Sequence, residues 1–141
     1  MIETLRPGVH ANAARVVLFD FDGTLSLIRT GWVHIMVPMM VDLLEELKTG
    51  EARADLQALV EDFVARLTGK ETIYQMMELA AQIEKRGGRP EDPKVYKKMY
   101  LDRLHAMIKD RLEGLRRGEI DPDSAMVPGS RALLEALRER G

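Results

Sequence analysis

The sequence predicts a mostly helical chain: part of an α/β domain, one strand and one helix, interrupted by a four-helix insert. Three observations carry this. Residues 16–19, Val-Val-Leu-Phe, form a continuous apolar run that ends in Asp20-Phe-Asp22. Residues 31–118 hold four successive stretches whose apolar residues recur at three- and four-residue spacings. A Pro128-Gly129 turn then precedes a last Leu-rich stretch.

Each element has a local reason. Residues 1–14, with Pro7-Gly8, read as a leader with little regular structure. The run at 16–19 does not alternate, the pattern of a strand buried on both faces, and a strand is expected over 15–20. Gly23 and Gly31 bracket a turn-like stretch. Trp32, Ile35, Met36, Met39, Met40, Leu43, Leu44 and Leu47 then define an amphipathic helix with a kink expected at Pro38. Leu56, Leu59, Val60, Phe63, Val64 and Leu67 define a second.

Thr68-Gly-Lys-Glu71 has the Thr-x-x-Glu form of a capping box. It would open a third helix through Met76, Leu79, Ala80 and Ile83, closed by Gly87-Gly88. Asp92-Pro93 is a start signal for a fourth helix, Tyr96 to Leu115, that stops at Gly118. Residues 121–129 show no period and read as a loop. Ser130 would cap a fifth helix carrying Leu133, Leu134 and Leu137, with Gly141 at its C′ position. The four middle helices can cover one another as a bundle, whereas one strand and one helix cannot make a sheet between them.

Composition narrows the class. The chain has 141 residues, 45% hydrophobic, with no Cys, which excludes disulfides and thiolate metal sites and fits a reducing cytoplasm. No signal core and no membrane-length apolar run is visible. A net charge of −2 and 5% aromatic content argue against a nucleic-acid surface. His10, His34 and His105 lack metal-site spacing, and His34 reads as packed within an apolar helix face. The helical methionines at 36, 39, 40, 76, 77, 99 and 107 read as core filler.

The segment Val16-Val-Leu-Phe-Asp20-Phe-Asp22-Gly-Thr24 resembles motif I of the haloacid dehalogenase (HAD) superfamily, Asp-x-Asp-Gly-Thr after a hydrophobic strand. The resemblance implies a HAD-like Rossmannoid core in residues 1–30 and 119–141, represented by its first strand and one helix. It implies that residues 31–118 are a C1-type helical cap, as in phosphoglycolate phosphatase and β-phosphoglucomutase-like members.

The chemistry gives each position a reason. Asp20 would attack phosphorus to form an aspartyl-phosphate, and Asp22 would protonate the leaving oxygen and then take a proton from water. Gly23 would let the chain turn beneath a phosphate, and Thr24 would hydrogen-bond Asp22. Asp20, through its carboxylate, and Asp22, through its backbone carbonyl, are the metal ligands the resemblance implies, with Mg²⁺ the implied cofactor. Arg29 and Trp32 would line the substrate entrance. Lys70, in a segment resembling the cap loop that reaches towards the active site, either meets an anionic substrate group or is a solvated residue near a helix start.

The expected activity is therefore Mg²⁺-dependent hydrolysis of a small phosphorylated metabolite. A phosphomutase on the same scaffold and a non-catalytic helical interaction module are the alternatives. Family members continue into a Ser/Thr-bearing strand, a Lys and an acidic pair, so the chain reads as truncated, with little activity of its own. Its unpaired strand would favour self-association. The acidic pairs Glu61-Asp62 and Glu91-Asp92 follow no apolar strand and do not substitute for the later motifs.

Overall fold

The computed structural model describes residues 15–140 together with Gly8. Gly8 apart, the leader expected over residues 1–14, His10 within it, and the C′ position of Gly141 lie outside the described residues. The chain divides into two compact units, Met1–Ile28 with Asp121–Gly141, and Arg29–Ile120.

The larger unit is a four-helix bundle of α1 (Val33–Glu45), α2 (Arg53–Leu67), α3 (Thr72–Lys85) and α4 (Pro93–Arg116). α1 packs most extensively on α2 and α3 on α4, and α1 also touches both α3 and α4. Composition explains that central place: α1 is apolar around most of its circumference and buries Met36, Val37, Met39, Met40, Val41 and Leu44. α2, packed against α1 and α3, buries Leu56, Val60, Phe63 and Val64. Met76, Leu79 and Ile83 of α3 and Tyr96, Tyr100, Leu104 and Ile108 of α4 complete the core. Each such side chain contributes about 1.5–3 kcal/mol when fully buried. α1 continues through Pro38, which is exposed and has no amide proton to give the preceding turn.

Helix ends follow the local rules with two corrections. α3 ends in a Schellman motif: Gly88 N–H donates to the Ile83 carbonyl (3.0 Å) and Gly87 N–H to Glu84 (2.9 Å), with Gly87 at φ +77°. α4 ends the same way, Glu119 N–H to Gly114 (2.9 Å) and Gly118 N–H to Leu115 (3.2 Å). Asp92 caps α4 by accepting from Lys94 N–H at 2.8 Å, with Pro93 in the first turn.

The capping box expected at Thr68 does not form. Its hydroxyl donates backwards to the Val64 carbonyl (2.9 Å), and Glu71 precedes α3 without a side-chain cap. The Val64 carbonyl, left without an intrahelical donor at the end of α2, takes the hydroxyl instead, alongside the Gln75 amide at 3.4 Å.

The smaller unit holds a 3₁₀ turn (Pro122–Ala125) and α5 (Ser130–Glu139). Gly129, at φ +84°, takes the N-cap place expected of Ser130. Ser130 is the first helical residue, and its buried hydroxyl donates to the Val127 carbonyl at 2.7 Å.

The larger correction concerns residues 15–20, where the expected strand is absent. The segment is irregular and solvent-facing, with Val16 76% and Leu18 93% exposed. Pairing among the described residues is limited to isolated bridges, Asp22 with Ser26 and Ser26 with Met126. A strand exists only through hydrogen bonds to a neighbour, and no neighbouring strand lies beside 15–20 among the described residues. The apolar run therefore remains irregular chain without a sheet. The mostly helical character is observed; among the described residues a sheet core is not.

Candidate functional site

The motif residues occupy a tight loop in the smaller unit. The Phe21 carbonyl accepts from the amides of Thr24 (3.4 Å), Leu25 (3.0 Å) and Ser26 (2.9 Å), and Gly23 N–H donates to the Ser26 carbonyl at 2.9 Å. Reversing the chain this sharply requires the left-handed backbone that Gly23 supplies at φ +77°. Asp20 and Asp22 are both exposed and stand on either side of Phe21.

Thr24 makes a contact different from the one expected of it: its hydroxyl donates to Oδ2 of Asp20, at 3.3 Å. The turn brings Thr24, four residues on, within reach of the Asp20 carboxylate. The far side of the loop is tied down by Leu27 N–H to the Ala125 carbonyl (2.8 Å) and Val127 N–H to the Leu25 carbonyl (3.0 Å). Ser26, absent from the expected site, is buried at the centre, and its hydroxyl accepts from Ile28 N–H at 3.2 Å. No sequence signal marked it, since its burial depends on the segment around Met126.

The other expected site residues belong to the larger unit. Arg29 is exposed, and its carbonyl accepts from Trp32 N–H at 3.1 Å. Trp32 is half-buried and forms the N-cap of α1 without a side-chain bond. Lys70 follows Gly69 (φ +88°) in the turn between α2 and α3. It is exposed, with its ammonium 5.9 Å from the centre of the Tyr74 ring. An exposed contact of that kind is worth about 0.5–1 kcal/mol. The structure thus brings Asp20, Asp22, Gly23 and Thr24 together in one loop, with Arg29, Trp32 and Lys70 in the other unit.

Among the described residues no group of three or more His, Asp or Glu side chains is assembled to hold a metal. Asp20 and Asp22 offer hard oxygen donors, which suits a cation such as Mg²⁺ that takes one or two carboxylates and keeps several waters. The other acidic pairs are engaged elsewhere. Glu61 accepts from Gln57 (2.8 Å), Asp62 pairs with Arg66 (2.9 Å), and Asp92 caps α4.

His34 corrects another expectation: it is exposed on the rim of a groove of about 210 Å³ between α1 and α2. Val33, Val37 and Val41 line the groove, and Arg53 and Glu61 edge it. Arg53 is held there by ion pairs to Asp42 (2.7 Å) and Glu45. None of the expected site residues lines this groove.

Comparison with protein-family models, curated proteins and solved structures finds no match to this chain. Among the described residues, no helix is long and apolar enough to cross a membrane.

Proposed function

We propose that the chain carries the nucleophile loop and helical cap of a HAD-type phosphohydrolase acting on a small phosphorylated metabolite in the cytoplasm. The observation that carries the reading is the Asp20-Phe-Asp22-Gly-Thr24 loop, in which a glycine-dependent turn sets a hydroxyl against the first of two carboxylates. In this reading an Asp20 oxygen attacks phosphorus as the ester P–O bond breaks, and Asp22 donates a proton to the departing oxygen. Water then attacks the aspartyl-phosphate, Asp22 takes its proton, and phosphate leaves with Asp20 restored. Bound Mg²⁺ would supply charge neutralisation for the phosphoryl group, held by the Asp20 carboxylate and the Asp22 carbonyl. Arg29, Trp32 and Lys70 are proposed to contact the remainder of the substrate.

Turnover by these 141 residues is expected to be slow, because exposed carboxylates on an irregular segment are poorly preorganised for catalysis. The test is p-nitrophenyl phosphate hydrolysis with Mg²⁺, combined with intact-protein mass measurement. Asp20→Asn should lose all turnover and form no phosphoryl adduct, while Asp22→Asn should accumulate the adduct. Equal turnover by wild type and Asp20→Asn defeats the nucleophile assignment.

A second reading, a non-catalytic helical interaction module, is favoured by one observation: the bundle of α1–α4 buries its own apolar stripes. Absence of both turnover and adduct in every variant would select it. The proposed self-association rests on the exposed apolar run at Val16, Val17, Leu18 and Phe21.

A further inference from the structure

The groove between α1 and α2 lies wholly within the bundle unit. Its α1 side carries Val33, Val37 and Val41, spaced i, i+4, i+8 and so stacked in one row, with His34 and Pro38 beside them. Its α2 side carries Arg53, Gln57 and Glu61 at the same spacing. Arg53, at the start of α2, pairs with Asp42 and Glu45 in the last turn of α1, so the two rows run antiparallel. Glu61, eight residues further along α2, therefore comes to the end of the groove where Val33 and His34 stand.

The two charged side chains of this lining differ in how they are matched. The Arg53 guanidinium already faces two carboxylates. Glu61 accepts a single hydrogen bond on Oε1, from the neutral Gln57 amide at 2.8 Å, and has no ion pair among the described residues. Near it, Val33 is 38% exposed and Pro38 is exposed as well, while Val37 and Val41 are almost fully buried and close the floor. An unmatched carboxylate at the edge of an apolar floor is complementary to a molecule that joins an ammonium to a hydrocarbon body.

We propose that this groove binds a small amphiphilic amine, its ammonium donating to Glu61 and its hydrocarbon body lying on Val33, Val37 and Pro38. Charge selects the cation, because an anion would meet the Glu61 carboxylate while Arg53 is already matched. Size sets the body. An apolar cavity of about 150 Å³ holds benzene, so the groove's roughly 210 Å³ suits one ring with a short chain. So small a ligand in an open groove binds weakly, with a Kd on the order of 1 mM. The site is independent of the chemistry proposed for Asp20 and Asp22.

Amide-shift titrations of the ¹⁵N-labelled full chain test it, with 2-phenylethylamine, the uncharged 2-phenylethanol and the anion 3-phenylpropionate as probes. The amine should shift the amides of Val33, His34, Val37, Gln57 and Glu61 saturably, and bind about two- to fivefold more tightly than the alcohol. Glu61→Gln, at an exposed position, should reduce the amine to the alcohol's affinity and leave the alcohol unchanged. Val33→Ser should weaken both by a similar factor. Equal affinity for amine and alcohol in the wild type, equal binding of the anion, amine affinity unmoved by Glu61→Gln, or shifts scattered outside these two rows would each overturn the proposal.

Discussion

Two apolar runs in this chain meet opposite fates. In α1, Met36, Val37, Met39, Met40, Val41 and Leu44 are almost completely buried. In the smaller unit, Val16, Val17 and Leu18 are at least as hydrophobic, yet each is more than half exposed. The difference lies in how each backbone is satisfied. A helix pairs its own amides and carbonyls within four residues and then needs only side-chain cover, which α2, α3 and α4 provide. An extended segment needs a neighbouring backbone before its side chains can be buried at all. Apolar composition alone therefore did not place either run.

That contrast can be broken most forcefully in the core. Phe63 is fully buried in α2, and Phe63→Ala should destabilise the bundle by about 3–5 kcal/mol, read from denaturant unfolding followed by helical circular dichroism. A loss below about 1 kcal/mol would mean the bundle is not the packed body described.

A smaller effect is expected at the start of α4. Asp92→Ala removes the acceptor for Lys94 N–H and should cost about 0.5–2 kcal/mol, with Asp92→Asn recovering most of it. Failure of Asn to recover stability would assign the effect to charge rather than capping.

Acid should sharpen the comparison further. The Arg86 guanidinium grips both oxygens of Glu51, at 2.7 and 2.8 Å, and Thr49 donates to the same carboxylate. These bonds hold the Glu51 pKa down at about 2 from an ordinary 4.5. A carboxylate lowered on folding contributes stability that is fully present above about pH 4.5 and is lost as the pH falls towards 2. The stability gap between wild type and Glu51→Gln should therefore close over that interval. A gap that stays constant from pH 6 to pH 2 would exclude the linkage.

The smallest stability effect belongs to the exposed run. Leu18→Ser should change unfolding free energy by no more than about 0.5 kcal/mol while lowering the light-scattering mass of any self-associated species. A large destabilisation would show that Leu18 is buried in solution.

Sequence by itself determined the helices, because their signals act within one or two turns. The three- and four-residue spacings of α1–α4, the Asp92-Pro93 start and the Gly87 and Gly118 stops all appear where the residues ask for them. The turn at Gly23 was legible for the same reason.

Only the tertiary structure decided whether residues 15–20 became a strand, since that requires a partner distant in sequence. It also decided that Thr24 meets Asp20, that His34 faces solvent, and that Ser26 is buried beside the Met126 segment. The clamp between Glu51 and Arg86 and the seating of Ile120 on Gly114 belong to the same class. Local periodicity specifies which face of a helix is apolar; it carries no information about which distant residue will cover it.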